Sequence, residues 1–297
     1  MQRPEPDDFE AQRPRLLRLA YRMLGSHAEA EDAVQDAWLR WSRVDEAAAV
    51  DNPAAFLTRI VTRLCLDRMK SARARRETYY GEWLPEPLVE ADPDAMRADD
   101  LTLTLMMALE RLSPLERAAF LLHDVFDVPL ADVAETLDRD AAAIRQLASR
   151  ARRHVREART RYPIAETEAE RIASAFFAAS KQGDTAALRA MLAENVVITS
   201  DGGGKVLAFR NPIHGIAKVL RLFAGLKRKY GARVETSIPL RIDGLAGFAT
   251  MVEGTLLQTT ALEVVEGRVT AIYIMRNPDK LARLARALGV GTYFGTA

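Results

Sequence analysis

The sequence predicts a multidomain protein in which two all-α domains, the second with a helix-turn-helix, precede an α+β domain. Apolar residues recur at helical spacing through residues 1–162, whereas short strand-like runs separated by glycine-marked turns dominate from about residue 232 to 276. A chain of 297 residues with 48% hydrophobic and 28% charged residues is also long enough to bury more than one globular core.

The first all-α domain is predicted over residues 1–80. Ser26 and Glu29 have the spacing of a capping box for a helix that runs toward Trp41. Asn52-Pro53 is typical of an N-cap followed by proline at the first helical position, and it predicts a further helix with one apolar face. The polar residues of that helix share a separate stripe because of their spacing of three and four: Arg59, Arg63, Asp67 and Lys70.

The second all-α domain is predicted over residues 99–162. Ser113-Pro114 with Glu116 predicts the start of one of its helices. After a tight break at Asp138-Arg139, Asp140 is expected to cap a long helix. Two helices joined by a short turn, of which the second is basic and faces outward, are typical of a helix-turn-helix.

Charged residues are strongly segregated, although the net charge is only +1. Residues 59–76 and residues 145–161 each contain seven Arg or Lys and one acidic residue. Between them, residues 81–110 contain eight acidic residues and one Arg. The chain therefore carries two basic helical segments on either side of an acidic linker, predicted over residues 81–98, whose prolines favour an extended backbone.

Residues 163–297 are predicted to form the separate α+β domain. Two helices come first, divided at Gly183-Asp184, and strands follow from about residue 232 to 276. The turns between these strands are marked by glycines: Gly244, Gly254 and Gly267. Asn277 and Pro278 are typical of the N-cap and first position of a last helix.

The composition gives no sign of secretion, membrane insertion or metal chemistry. The first residues, MQRPEPDDFE, are polar and acidic, and no apolar run approaches the length of a membrane helix. Cys65 is the single cysteine, so we expect it to be a small core residue of a cytoplasmic protein without internal disulfides. We also expect no metal, no cofactor and no catalytic residue, because no ligand spacing or catalytic motif stands out.

Two parts of the chain resemble the DNA-binding regions of bacterial sigma factors of the extracytoplasmic-function (ECF) group. Regions 2.2 to 2.4 are similar to AEDAVQDAWLRW, residues 30–41, together with NPAAFLTRIVTRLCLDRMKSARARRE, residues 52–77. Region 4 is similar to LERLSPLERAAFLLHDVFDVPLADVAETLDRDAAAIRQLASRARRHVRE, residues 109–157. Asp138 stands where the turn often has glycine, and we expect it to adopt the left-handed conformation, which aspartate tolerates. The resemblance implies an alternative sigma factor that directs promoter-specific transcription initiation.

The C-terminal part resembles a SnoaL-like domain, a cone-shaped α+β fold shared with polyketide cyclases and ketosteroid isomerases. Three signatures of the ECF subgroup with such a domain are present: WLPEP at residues 83–87, DGGGK at 201–205 and NPDKL at 277–281. The resemblance implies that this domain regulates the protein in cis by contacting the linker, which in the family threads through the polymerase near the template strand. Three consecutive glycines indicate close approach of another segment, for which Trp83 is our candidate.

The resemblance and the side-chain chemistry assign promoter contacts to two helices. Arginine can bind guanine bidentately, and glutamine can do the same for adenine. For the −35 element the candidates are Arg145, Gln146, Ser149, Arg150 and Arg153, with phosphate contacts from Arg152, Arg156 and Arg159. For the −10 element the candidates are Arg59, Arg63, Arg68, Lys70 and Arg73. A solvated basic face is the alternative interpretation of the −35 set.

The resemblance also implies partner contacts, with core RNA polymerase (β′ and β subunits) and promoter DNA as partners and no membrane. The residues implied to bind the clamp helices of β′ are Asp32, Gln35, Asp36 and Arg40, which equally fit an ordinary exposed helix face. The residues implied in the regulatory contact are Trp83, Leu84, Pro85, Glu86, Pro87, Asp201, Gly202, Gly203, Gly204, Lys205, Asn277, Pro278 and Asp279.

Two alternatives remain for the α+β domain. It is either a cyclase- or isomerase-like enzyme fused to a DNA-binding module, with Asp201, His214 and Tyr273 as candidate groups in the cone, or a sensor of a small apolar ligand. Likeness of fold does not decide between them and a purely regulatory domain, because function resides in the site.

Overall fold

A computed structural model describes residues 6–43, 50–77, 79–89, 103–158, 165–231 and 235–293, except the side chains of residues 6, 72–77, 157–158 and 235. The chain divides into two compact units, the first from residues 1–77 and 105–159 and the second from residues 78–104 and 160–297. The helices predicted for both all-α domains thus fall in the first unit. The linker residues 79–89 belong to the second. The Arg73 side chain, Arg159 and linker residues 90–98 lie outside the described residues.

The described part of the first unit is helical. Its helices are α1 (Pro6–Leu24), α2 (His27–Trp41), α3 (Pro53–Glu77), α4 (Leu103–Glu110, which enters this unit at residue 105), α5 (Pro114–Phe120), a π-helical turn (Leu121–Val125), α6 (Leu130–Leu137) and α7 (Ala141–Ala158). Buried apolar side chains from these helices, such as Leu16, Leu57 and Leu121, form its core.

Local capping fixes the helix ends where the sequence predicts them. The Ser113 hydroxyl accepts a hydrogen bond from Glu116 N, and the Glu116 side chain accepts one from Ser113 N, which confirms a complete capping box. Asp140 Oδ1 accepts a 2.7 Å hydrogen bond from Ala143 N at the start of α7. Asp138 ends α6 in the left-handed conformation with φ 52°, as expected for the turn between α6 and α7.

A buried arginine joins the N-terminal helices to the helices of the second predicted domain. Arg117 on α5 is 1% exposed, and its Nε donates a 2.8 Å hydrogen bond to the carbonyl of Arg22 on α1. Its Nη1 forms an ion pair with Glu110 on α4. Arg22 and Arg15 also place their guanidinium groups over the ring of Phe126. Charged and cation–π contacts therefore hold the first unit together in addition to its apolar core.

Cys65 lies fully buried on α3. Burial raises the pKa of its thiol to about 12, and the thiolate is the reactive form of cysteine. We therefore expect the folded protein not to react with 5,5′-dithiobis(2-nitrobenzoate) at mildly alkaline pH, and the urea-unfolded protein to release one equivalent of thionitrobenzoate. Rapid reaction of the folded protein would contradict this placement of Cys65.

The second unit is an α+β domain. Its described elements are α8 (Glu166–Gln182), α9 (Thr185–Met191), β1 (Leu192–Asp201), β2 (Ile213–His214), α10 (Ile216–Tyr230), β3 (Glu235–Ile242), β4 (Leu245–Val252), β5 (Thr255–Val265), β6 (Arg268–Met275) and α11 (Pro278–Ala287). The strands form one mixed sheet in the order β2-β1-β6-β5-β4-β3, in which β1 and β6 are parallel and the other neighbours antiparallel.

The two faces of this sheet have different partners. On one face, α8 and α10 pack against the strands, and Phe176, Phe223 and Phe248 lie in the shared core. Side chains alternate between the faces of a strand. On the other face, Tyr273 and Met275 of β6 therefore meet the linker. The sheet thus separates a helix-covered interior from a linker-binding surface.

Within the described ranges, every helix is either too short or too polar to cross a lipid bilayer.

Candidate functional site

The outward face of α7 presents the candidate −35 residues. The side chains of Arg145, Gln146, Ser149 and Arg153 are exposed, while Ile144 and Ala148 face the core. Arg150 is half-exposed and its Nε lies 2.9 Å from Glu116 Oε1, so a DNA contact by Arg150 requires it to leave that carboxylate. Arginine and glutamine on the exposed face of the second helix of a helix-turn-helix can reach base edges in a major groove.

The candidate −10 residues on α3 are engaged by α6 of the helix-turn-helix. Arg59 forms a 2.7 Å ion pair with Glu135, and Arg63 Nε donates a 3.4 Å hydrogen bond to the carbonyl of Thr136. Arg63 itself is exposed. In this arrangement, the first helix of the helix-turn-helix contacts two of the arginines that we expect to bind the −10 DNA.

The other candidates on α2 and α3 pair with each other. Arg68 Nη2 lies 2.7 Å from Asp36 Oδ2, and Lys70 Nζ lies 3.0 Å from Asp67 Oδ1. Asp32, Gln35 and Arg40, the remaining candidates for polymerase binding, are exposed on α2. The polar stripe predicted for α2 is therefore accessible in the first unit, although the Asp36 carboxylate is paired with Arg68.

A single buried carboxylate binds the linker to the rest of the α+β domain. Asp201, at the end of β1, is 0% exposed. Its Oδ2 accepts a 2.9 Å hydrogen bond from the backbone N of Leu84 and pairs with Lys280 Nζ at 2.7 Å. Its Oδ1 accepts hydrogen bonds from the Tyr79 hydroxyl at 2.6 Å and from Gly203 N at 2.9 Å. Four donors thus compensate the burial of one negative charge.

Lys280 completes this contact from α11. Its ammonium donates to the carbonyl of Leu84 as well as to Asp201, and it lies 4.0 Å from the centre of the Trp83 ring and 5.3 Å from that of Tyr79. A cation between two aromatic rings and a carboxylate fixes both the backbone and the side chains of the linker. We call Tyr79, Leu84, Asp201 and Lys280 the latch.

Tyr79 enters the latch as a neutral phenol. Burial, followed by the neighbouring Asp201 carboxylate, raises the pKa of its hydroxyl well above the usual range. The hydroxyl can therefore donate to Asp201 while accepting a 2.9 Å hydrogen bond from Asn277 Nδ2. Asn277 also caps α11, because its Oδ1 accepts a hydrogen bond from Asp279 N.

A second anchor holds the far end of the described linker. Leu88 N donates to the Asp243 carboxylate, and Asp243 N donates a 2.8 Å hydrogen bond to the carbonyl of Leu88. Val89 forms an antiparallel bridge with Ile242 on β3. Where the chain returns, Leu103 N donates a 2.9 Å hydrogen bond to the carbonyl of Asp243. The turn between β3 and β4 therefore binds the backbone on both sides of residues 90–102.

Residues other than Trp83 lie close to the second and third glycines of DGGGK. A Cβ atom added at Gly203, where φ is 64°, would lie 2.4 Å from the Asn277 amide nitrogen, and one added at Gly204 would lie 3.2 Å from Tyr80 Cβ. Trp83 instead lies against Lys280. Our expectation that Trp83 fills the space at the glycines is therefore wrong, because Asn277 and Tyr80 take that space.

The remaining residues of the predicted regulatory contact lie around the latch. Lys205 and Asp279 form an exposed ion pair. Leu84, Pro85 and Pro87 line a small space against the linker-facing side of the sheet, and Glu86 is 8% exposed. Most of WLPEP is therefore buried or half-buried in the second unit.

The candidate catalytic groups do not meet in the cone. Asp201 and Tyr273 lie on the linker side of the sheet, and His214 is exposed on β2. None of the three lines the cavity on the helix-covered side. Among the described residues, no cluster of His, Cys, Asp or Glu is arranged to hold a metal ion.

Sequence reasoning missed three residues of the linker contact, Tyr79, Asp243 and Lys280. Lys280 lies inside the NPDKL signature, but its role as the partner of Asp201 depends on the fold. Tyr79 precedes WLPEP by four residues, and Asp243 lies at a turn that we predicted only from its glycine. Aromatic residues beside an acidic linker would have been the available indication for Tyr79.

The helix-turn-helix, the basic α3 and the tethered linker define a promoter-recognition protein of the sigma-70 type. The family model described as Sigma-70 region 2 matches residues 9–75, and the model described as Sigma-70, region 4 matches residues 102–155.

Full-length relatives specify the group. The chain is 39% identical over 299 residues to the ECF RNA polymerase sigma factor SigJ of Mycobacterium tuberculosis, a match that covers 93% of each chain. It is 30% identical over 290 residues to the probable ECF RNA polymerase sigma factor SigI of the same species, with 95% of this chain and 97% of the relative covered. The crystal structure of M. tuberculosis SigJ superposes with a TM-score of 0.75 at 37% identity and covers 94% of this chain and 99% of that one.

The chain belongs to the ECF RNA polymerase sigma factors, and its C-terminal α+β domain is SnoaL-like.

Proposed function

We propose that this sigma factor binds core RNA polymerase and promoter DNA and is regulated in cis by its SnoaL-like domain, which holds the linker through the latch. The observation that carries the proposal is the buried Asp201, which binds the linker backbone at Leu84 and the side chain of Lys280. A linker that must enter the polymerase cannot keep these contacts at the same time. The polymerase, or a signal, therefore has to compete with them.

The contacts of the acidic linker favour a mechanism in which the polymerase competes with the SnoaL-like domain for the linker. They do not fit a linker that serves only as a passive tether. Leu84 and Val89 are 2% and 3% exposed, so releasing the linker exposes apolar side chains as well as the latch charges. Binding of core polymerase to the released state would shift the population toward it. The free energy of latch opening thus sets the fraction of protein ready to initiate transcription.

Within the first unit, contacts from α6 to α3 support a second restraint on DNA binding. The ion pair of Arg59 with Glu135 and the hydrogen bond of Arg63 to Thr136 hold two candidate −10 residues against the helix-turn-helix. DNA phosphates would have to replace Glu135 at Arg59. We propose that the two sigma regions separate when the protein engages a promoter, with Asp32, Gln35, Asp36 and Arg40 bound to the β′ clamp helices.

Base recognition by α7 can be separated from backbone binding. We expect Arg145→Ala to weaken binding to a −35 duplex, selected from a random pool, by about 1–3 kcal/mol while leaving binding to a scrambled duplex nearly unchanged. Arg156→Ala should weaken binding to both duplexes. It should also make the fall of log affinity with log salt concentration less steep by about one. Fluorescence anisotropy across a salt series measures both effects. Equal losses on both duplexes for Arg145→Ala would rule out base recognition by this residue.

In-vitro transcription with bacterial core polymerase tests the regulation in cis. We expect a chain that ends at Tyr162 and the full-length Lys280→Met variant to differ from the intact protein in initiation activity, since both release the linker. Lys205→Met, which removes only the exposed pair with Asp279, serves as the matched control and should behave as the intact protein. Identical activity of all four proteins would refute regulation by the latch.

A further inference from the structure

The helix-covered side of the SnoaL-like sheet contains a cavity of about 170 Å³. It lies on the opposite side of the sheet from the linker, between the strands and helices α8 and α10. Lys181, Leu207 and Lys227 are exposed residues of its lining, so the cavity is accessible to solvent on that side. None of the latch residues lines it.

A cluster of phenylalanine rings forms part of the cavity wall. Five phenylalanines contribute to it: Phe176, Phe177, Phe209, Phe223 and Phe248. Rings of this kind favour stacked or edge-to-face contact with another ring. A cavity of roughly 150 Å³ lined by apolar side chains is known to hold a benzene molecule. The space therefore suits one aromatic ring with a short substituent.

The charged residues of the lining are basic. Of the described residues that line the cavity, Lys181, Lys227 and Arg276 are cationic and none is acidic. Lys181 Nζ lies 5.8 Å from the centre of the Phe177 ring, and the Lys227 side chain runs past Gly183 and Gly231, where an added Cβ atom would collide with it. Cations beside an aromatic wall indicate a ligand that carries a negative charge next to a ring.

A buried hydroxyl also lines this cavity. Ser200, on β1, is 2% exposed, and its Oγ has no hydrogen-bond partner among the described residues. A buried polar atom without a partner is unfavourable unless a ligand or water satisfies it. Thr260 and Gln258 provide further hydrogen-bonding groups on strand β5.

We propose that this cavity binds a monocyclic aromatic carboxylate, with the ring against the phenylalanine wall and the carboxylate at Lys181, Lys227 and Arg276. A neutral apolar ligand would fill the same volume but would form no ion pair with these cationic groups. The negative charge and the single ring together distinguish this ligand class from the small apolar molecule considered from the sequence.

The cavity and the latch share one strand end and one loop. Ser200 lines the cavity, and the next residue, Asp201, is the centre of the latch. The loop that follows carries Gly203 at the latch and Leu207 to Phe209 at the cavity wall. Arg276 donates a hydrogen bond to the carbonyl of Leu207 and precedes Asn277. Occupation of the cavity would thus alter the latch, a consequence that rests on the function proposed above, whereas ligand binding itself does not.

Calorimetric titration of the full-length protein tests the site without polymerase. The probes are benzoate, phenylacetate and 3-phenylpropionate, with 2-phenylethanol and 2-phenylethylamine as uncharged and cationic analogues of phenylacetate. We expect at least one carboxylate to bind saturably in a one-to-one complex, and about tenfold or more tightly than its alcohol analogue. Equal binding of acid and alcohol, or no saturable binding of any carboxylate, would overturn the proposal.

Variants locate the bound molecule. Lys181→Met with Lys227→Met should remove the preference for acid over alcohol while keeping the alcohol affinity, and Ser200→Val should weaken the acid. Arg228→Met is the matched control, because Arg228 is exposed on α10 beside Lys227 but does not line the cavity. Loss of the preference in Arg228→Met alone would place binding elsewhere on the surface.

Hydrogen exchange at the Leu84 amide, followed with and without the bound carboxylate, tests the coupling. A change in protection supports communication between cavity and latch, and unchanged protection at saturating ligand refutes it while the binding site stands. Because neither measurement uses transcription, failure of ligand binding and failure of regulation in cis are told apart.

Discussion

Asp201→Asn should open the linker contact by lowering its free energy of local unfolding by about 3–5 kcal/mol, the cost typical of leaving one member of a buried ion pair without its partner. The Lys280 ammonium is then held beside an uncharged amide, and Asp201 itself is fully buried in the intact protein. Lys280→Met should have a similar effect because it leaves the carboxylate without its cation. The expected loss of local unfolding free energy corresponds to a decrease of about 100-fold or more in the hydrogen-exchange protection of the Leu84 amide.

Hydrogen-exchange mass spectrometry of the peptide that contains residues 79–89 measures this opening. Lys205→Met provides the control, because the Lys205–Asp279 pair is exposed and such pairs contribute about 0–1 kcal/mol. Its exchange at Leu84 should match that of the intact protein. If Asp201→Asn exchanges as slowly as Lys205→Met, the latch does not hold the linker and the proposed regulation loses its physical basis.

Arg117→Met should destabilise the first unit by about 3–5 kcal/mol. The arginine is 1% exposed, and its removal leaves the carboxylate of Glu110 and the carbonyl of Arg22 without their charged donor. Urea unfolding, followed by tryptophan fluorescence in a Trp83→Phe background, reports this unit through Trp38 and Trp41. The midpoint should fall, with the slope of the transition unchanged.

Two further variants distinguish an unpaired charge from general loss of packing. In Arg117→Met with Glu110→Leu, both charges are replaced by apolar groups, so much of the lost stability should return. Arg150→Met removes a half-exposed partner of Glu116 and should cost about 1 kcal/mol or less. A double variant that is less stable than Arg117→Met would show that the ion pair does not cause the loss.

Much of the local structure could be predicted from neighbouring residues. Ser113 with Glu116, Asp140 and Asn277 each satisfy free backbone groups of the helix that they precede, so a few adjacent residues suffice to place a helix start. Asp138 takes the left-handed conformation that the short turn requires. The family of the chain could likewise be recognised, because its signatures are continuous segments.

The linker contact could be predicted only in outline. WLPEP, DGGGK and NPDKL indicated which segments meet, but not which atoms bind. The contacts at Leu84 join it to Asp201 and Lys280, across 117 and 196 positions. Such partners are chosen by the path of the chain through the sheet, which no local pattern records. The misplaced expectation for Trp83 has the same origin.

The sequence by itself determined the helix starts, the helix-turn-helix, the segregated charges and the sigma-factor family, because each depends on residues close together in the chain or on continuous motifs. Only the tertiary structure decided that Lys280 pairs with Asp201 and that α6 contacts Arg59 and Arg63. It also decided that the sheet separates the linker from a cavity lined by phenylalanines and basic residues. The reason is that burial and alternation across the sheet select the partners of a charge, and both arise only when distant segments pack together.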